Sequence, residues 1–261
     1  MEEVLRKLAK GKISVEEAVK MLKLFTIEKI GEFARIDVGR ELRRGIPEII
    51  LAEGKNLEEL SEIVLRSVEV AGRAIVSRLD EKTMDKLMEE ARRRGLNVED
   101  HRKARILVVK KKPGKRETGG RVGVITAGTA DILVAEEASV VAEEMGCKVY
   151  KVYDVGVAGL HRVFDAVKTM VEADVDALVV VAGREGALPS IVASLVDIPV
   201  IGVPTSQGYG FGGQGVAALQ SMLQSCPLGL TVVNIDAGVA AGAVAALIAN
   251  RAAYRAGASL K

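Results

Sequence analysis

The sequence is poor in the residues that announce a disulfide or zinc protein. It holds two cysteines, Cys147 and Cys226, and two histidines, His101 and His161. That is too few thiols for a disulfide framework, and no C-x-x-C spacing occurs. A zinc site needs about four nitrogen or sulfur ligands at close spacing, which this chain does not easily supply, so any metal is expected to be a hard cation on oxygen ligands. Aromatic residues make up 3% of the chain and tryptophan is absent. Its basic segments therefore lack a stacking platform for bases, and no nucleic-acid partner is expected. No apolar run reaches the roughly 18 residues of a membrane span. Met1 to Lys10 reads as a charged helix rather than the apolar stretch of a signal peptide. The expectation is a cytoplasmic protein with no membrane partner.

What is present is enough apolar material, 49% of 261 residues, to bury a core in each of two domains. The net charge of +2 hides an asymmetry: up to Thr118 there are 28 Lys and Arg against 22 Asp and Glu, and from Gly119 onward 9 against 13. The basic run from Lys103 to Arg116 reads as a solvated strand and linker, or as a phosphate-facing or subunit-facing patch. Its end, Lys110 to Gly120, is charged, contains Pro and Gly and lacks periodicity. The expected division is an N-terminal helix-rich α/β domain over 1–112, a linker over 113–120 and a second domain over 121–261.

Before the linker, Ser14-Val15-Glu16-Glu17 has the form of a capping box opening a helix to about Phe25. Asn56, with Glu59 three residues on, opens a second helix and Asp80 a third. Short β-like runs lie at Glu48–Leu51, Ala74–Val76 and Arg105–Val109, so the order is β-α-β-α-β. After the linker the alternation is clearer. Strands are expected at Val122–Ala127, Val149–Tyr153, Ala177–Ala182, Val200–Val203 and Thr231–Asn234. Helices are expected at Ile132–Met145, Leu160–Glu172, Ala187–Val196, Val216–Ser225 and Val239–Ala253. Short Val/Ile-rich strands joined by helices predict a three-layer, doubly wound parallel sheet of flavodoxin-like type.

In such sheets ligands bind beyond the carboxyl ends of the strands. The residues there are Thr126 to Asp131, Asp154 to Gly159, Gly183 to Gly186, Pro204 to Gly215 and Asp236 to Gly238. No Walker or Rossmann fingerprint occurs among them. Their signal is coincidence on one edge: Asp131, Asp154, Arg184, Glu185, Ser206 and Asp236 converge, with small residues that let backbone approach a ligand. Carboxylates there can move protons or bind a magnesium–phosphate unit, and Arg184 can grip a phosphate or carboxylate. Asp131 has a plainer reading as a helix cap. Gly208 to Gly215 reads as a lid that orders over a ligand, or as a flexible connection. Cys147 reads as a small buried residue, whereas Cys226, between a helix and the fifth strand, is open to either reading.

Ala182 to Pro189, Pro199 to Pro204 and the Ala-rich last helix resemble aminoimidazole ribonucleotide carboxylase (PurE). Purine enzymes of that type carry a catalytic His where this chain has Ala187, and S-A-H-R where Val155 to Ala158 reads V-G-V-A. A nearer resemblance is to the LarB family of nickel-pincer nucleotide biosynthesis. It is carried by G-V-I-T-A-G-T-A-D (Gly123 to Asp131), Y-D-V-G-V-A-G-L-H-R (Tyr153 to Arg162), A-G-R-E-G-A-L-P (Ala182 to Pro189), G-V-P-T-S-x-G-Y-G (Gly202 to Gly210) and S-M-L-x-S-C (Ser221 to Cys226). N-I-D-A-G (Asn234 to Gly238) fits with Ala237 where Asn is expected, and D-x-x-R-x-x-R-x-G-x-P-E (Asp37 to Glu48) fits in the N-terminal part.

The resemblance implies carboxylation of the pyridinium ring of nicotinic acid adenine dinucleotide, using carbon dioxide or bicarbonate. Hydrolysis of the phosphoanhydride would follow, with magnesium, no organic cofactor and a homo-octameric assembly. It implies Cys226 as nucleophile and Glu185 as proton acceptor or substrate-orienting carboxylate. Asp131 becomes a magnesium or ribose-phosphate contact, and Arg184 a carboxylate clamp. Gly128, Thr129, Asp154, Gly183, Gly186, Ser206, Gly208, Tyr209 and Asp236 are the remaining expected substrate contacts. Simple crossovers put Cys226 at the amino edge of the sheet, so either the preceding helix is short or displaced, or Cys226 serves a site shared with a neighbouring subunit.

Overall fold

The computed structural model describes residues 2–23, 27–30 and 34–257. The chain divides into two compact units, Met1–Pro113 and Gly114–Lys261. Among the described residues no helix is long and apolar enough to cross a membrane.

The first unit opens with helices α1 (Glu2–Ala9) and α2 (Val15–Lys23). The Ser14 hydroxyl accepts from Glu17 N (3.1 Å) while Glu17 Oε2 accepts from Ser14 N (3.0 Å), so the expected capping box forms. The expected end of that helix at Phe25 lies outside the described residues. An antiparallel hairpin follows, β1 (Ile27–Ile30) and β2 (Ala34–Asp37), which sequence reading missed. Next come α3 (Arg40–Arg44), β3 (Ile49–Leu51), α4 (Leu57–Ala71), β4 (Arg73–Ser77), α5 (Glu81–Arg93), β5 (Asn97–His101) and β6 (Ile106–Lys110). Asn56 and Glu59 close a capping box on α4, and Asp80 accepts from Thr83 N on α5. The sheet order is β3-β4-β6-β5, with β3 parallel to β4 and the other pairs antiparallel. Strand β5 is also absent from the sequence reading. Its N-V-E-D-H carries one aliphatic residue, too few for an apolar signal, and β6 recruits it by backbone pairing.

The second unit is the doubly wound sheet. Its elements are β7 (Arg121–Thr126), α6 (Ile132–Glu144), β8 (Lys148–Val152), α7 (Leu160–Glu172), β9 (Ala177–Ala182), α8 (Leu188–Ala193), β10 (Val200–Pro204), α9 (Val216–Leu223), β11 (Leu230–Val232) and α10 (Gly238–Arg255). Every pairing is parallel, in the order β11-β10-β9-β7-β8. Strand β9 is buried at all six positions, as a central strand covered on both faces must be. Helices α7, α8 and α9 share one apolar core with Leu178, Val180 and Val200 of the sheet, and α6 and α10 pack together on the sheet.

Residues 114–120 are tied into this unit rather than free. Thr118 is buried; its N–H donates to Gly146 O (3.0 Å), and its hydroxyl lies 2.6 Å from Asn250 Oδ1. Lys115 pairs with Glu143 at 2.8 Å. The segment read as a linker over 113–120 thus makes side-chain contacts within the second unit.

Candidate active site

The carboxyl ends of β7, β8, β9 and β10 surround a cavity of about 550 Å³. Of the expected site residues, Gly128, Thr129, Asp131, Asp154, Gly183, Arg184, Glu185, Gly208 and Tyr209 line it. Gly186, Ser206, Asp236 and Cys226 do not. Gly186 has φ +65°, and a Cβ there would sit 2.7 Å from Ala218 O, so its role is a tight turn against α9. Ser206 and Asp236 bond each other, Ser206 N donating to Asp236 Oδ1 at 2.8 Å.

Asp131 is the most enclosed of the carboxylates that line the cavity, with 4% of its surface exposed. It makes no side-chain cap on α6 itself, but its Oδ2 accepts from Gly128 N (2.9 Å) and so caps the 3₁₀ turn Thr129–Asp131 that leads into that helix. Its Oδ1 accepts from the Thr205 hydroxyl (2.7 Å), with Gly183 a further backbone donor. Burial raises its pKa from the ordinary carboxylate value; the three donors oppose this and the nearby Asp236 charge adds to it. Thr205, fully buried, is the site residue that sequence reasoning passed over. Its signal was a hydroxyl directly after the last residue of a buried strand.

Backbone strain concentrates on this edge. Asp154, Arg184 and Asp236 have φ of 61°, 52° and 55°, a left-handed conformation that costs a non-glycine residue about 1–2 kcal/mol. Contacts between loops hold it. Asp154 N donates to Thr126 Oγ1 (3.1 Å), Arg184 N to Gln207 O (3.3 Å) and Asp236 N to Pro204 O (2.9 Å). At Gly183 a Cβ would lie 2.1 Å from Gln207 O, so only glycine permits this approach. Arg184 lies over the Tyr209 ring, 4.5 Å from its centroid. Glu185 is exposed at the cavity wall and Asp154 at its rim, 3.7 Å from Arg162.

Cys226 is exposed and falls between the end of α9 and β11. Leu230, the first residue of β11, pairs with Val200, the first of β10, which places Cys226 toward the amino side of the sheet. Its neighbour Ser225 donates to the Ser190 hydroxyl of α8 (2.5 Å). Cys147 is buried, as expected, with its sulfur 3.2 Å from Asn250 Oδ1.

No group of three His, Cys, Asp or Glu side chains gathers as a metal site among the described residues. Asp131 lines the cavity with both oxygens already accepting hydrogen bonds, so a cation there would take their remaining lone pairs. Asp154, exposed and held only loosely by Arg162, fits contact with a hydrated cation.

Comparison with known proteins agrees with this architecture. Residues 121–261 match the family model of AIR carboxylase, and residues 27–112 match that of the LarB/PurE-like N-terminal domain. An uncharacterized protein of Methanocaldococcus jannaschii is 45% identical over 242 residues, covering 92% of this chain and 93% of that protein. The N5-carboxyaminoimidazole ribonucleotide mutase of Thermotoga maritima is 28% identical over 130 residues, covering 48% of this chain and 74% of that protein. The mutase of Pyrococcus horikoshii is 30% identical over 118 residues, or 44% and 62%. With both halves matched in this order, the chain belongs to the LarB family, a LarB/PurE-like N-terminal domain followed by an AIR carboxylase domain.

Proposed function

We propose that the chain carboxylates the pyridinium ring of nicotinic acid adenine dinucleotide and then hydrolyses the phosphoanhydride, releasing pyridinium-3,5-biscarboxylic acid mononucleotide and AMP. The observation that carries this reading is the charge of the cavity. Three carboxylates, Asp131, Asp154 and Glu185, line it together with one cation, Arg184. A nicotinate ring is itself a fixed cation bearing one carboxylate, and this set complements both charges. Ala187 also lines the cavity. The purine reaction would need the histidine that it replaces.

The chemistry requires a soft nucleophile that also leaves. In this reading the Cys226 thiolate adds to the ring, forming a C–S bond and cancelling the ring's positive charge. The resulting enamine carbon attacks carbon dioxide, forming the new C–C bond. Glu185 takes the proton from that carbon, the C–S bond breaks with its electron pair returning to sulfur, and aromaticity is restored. Water then divides the phosphoanhydride. Asp154, exposed at the rim, would face the water shell of a magnesium ion carried on the substrate phosphates, which would offset the charge of the leaving group. Because Cys226 does not line the cavity of its own chain, the reading needs the thiol of a second copy, as a homo-octamer can provide.

The test is incubation with the dinucleotide, bicarbonate and magnesium, followed by mass spectrometry. AMP and a ring-dicarboxylated mononucleotide are expected from the wild type and not from Cys226→Ala. Mixing Cys226→Ala with Glu185→Gln should restore part of the activity, since some sites then hold both groups. Intact dinucleotide in the wild-type reaction overturns the proposal. Conversion of aminoimidazole ribonucleotide instead would assign the purine activity.

A further inference from the structure

We infer that Tyr209 positions Arg184 so that its guanidinium selects a ring bearing a free carboxylate over the same ring bearing a carboxamide; this rests on the reading above and deepens it. Arg184 is the one cation lining the cavity among the described residues. No carboxylate of the described residues is within ion-pair distance of it. Arg162, by contrast, is beside Asp154. A cation lining a cavity and left without an internal anion is set for an anion from outside.

Its presentation is constrained twice. The backbone at Arg184 is left-handed, and its N–H is strapped to Gln207 O, so the side chain leaves the turn in one direction. The guanidinium then lies over the ring of Tyr209, which is 80% exposed and so is not held there by core packing. A guanidinium whose flat face rests on a ring keeps its in-plane N–H edge free, and the 4.5 Å contact allows that arrangement. That edge matches a carboxylate through two parallel hydrogen bonds. A carboxamide offers one acceptor and one NH₂, and the NH₂ meets guanidinium N–H groups donor against donor. The amide also lacks the negative charge. Tyr209 thus acts through Arg184, as a positioning residue on a loop whose start lines the cavity.

The experiment is calorimetric titration of the full chain with nicotinic acid mononucleotide and with nicotinamide mononucleotide, which requires no turnover. The wild type is expected to favour the acid by about 10- to 100-fold, the range for losing a charged hydrogen-bonding pair. Arg184→Ala should lose this preference by weakening the acid alone. Arg184→Lys should keep only a part of it, because an ammonium lacks the planar edge. Tyr209→Phe should keep the wild-type ratio and Tyr209→Ala should reduce it, with unchanged melting temperatures showing that the fold persists. A wild-type ratio retained in Tyr209→Ala removes the positioning role, and equal weakening of both ligands in Arg184→Ala removes the selection. If the wild type binds neither mononucleotide, the substrate reading falls and this inference with it.

Discussion

Asp131 and Thr205 stand 74 positions apart in the chain, yet the Thr205 hydroxyl donates to Asp131 Oδ1 at 2.7 Å. One follows β7 and the other β10, strands separated in the sheet by β9. The bond therefore spans the cavity floor and joins two loops that strand pairing alone does not connect.

Thr205→Val keeps the shape of the side chain but removes this donor from a buried carboxylate. A loss of about 1–3 kcal/mol is expected in urea unfolding at neutral pH, the range for a buried group deprived of a partner. The pH dependence has a defined sign. Burial raises Asp131, so the native state holds the proton more tightly than the unfolded chain does. The associated stability is complete below the unfolded value of 3.8 and is lost as pH rises through the native one. Wild type should therefore lose ground to Asp131→Asn as pH is raised from 3.8 toward neutrality. Unfolding curves at a series of pH values check this, and a difference of opposite slope would sink it.

The two thiols should behave as different reagents. Under native conditions iodoacetamide is expected to modify exposed Cys226 alone, with buried Cys147 reacting only after denaturation. Burial pushes the Cys147 thiol from 9.0 up to about 12. Its neutral form is thus favoured by folding, and that contribution is complete below 9.0 and lost as pH rises toward about 12. Cys147→Ala should show less alkaline loss of stability than wild type over that window. Equal native alkylation of both cysteines, read by intact mass, would contradict the burial assigned here.

Gly242 lies inside α10, where alanine is intrinsically favoured by about 1 kcal/mol. A Cβ there would stand 2.3 Å from Ala138 O of α6, a backbone atom that cannot step aside. Forcing the helices apart costs about 1–3 kcal/mol, so packing outweighs propensity and Gly242→Ala should melt lower than wild type. A raised melting temperature would show that α6 and α10 are less tightly apposed than the structure has them.

Much of the fold could be read from pattern. Ala177–Ala182 and Leu160–Glu172 are observed at the expected limits, because a continuous apolar run and a clear helical stripe are strong local signals. Asn56 and Asp80 cap the helices they were expected to cap. Where local signals were weak, reading failed. Strand β5 and the β1–β2 hairpin were missed, since their residues are strands through pairing rather than composition. Of the glycine and acidic positions at strand ends, Gly186 and Asp236 fall outside the lining of the cavity, whereas Gly128, Gly183, Asp131 and Asp154 were legible there because topology sends strand ends to one edge. Thr205 was not, because a single hydroxyl has no meaning until a partner from another loop faces it.

The sequence by itself determined the alternation of strands and helices in the second unit, the edge where the cavity lies and the family to which the motifs point. Each of these depends on residue type at short spacing. Only the tertiary structure decided that Asp131, besides capping its own turn, is buried and bonded to Thr205. It also decided that Arg184 rests on Tyr209 without an acidic partner, and that Cys226 stands apart from the cavity of its own chain. Those facts depend on how loops from different strands meet, and that is set by the packing of the whole sheet.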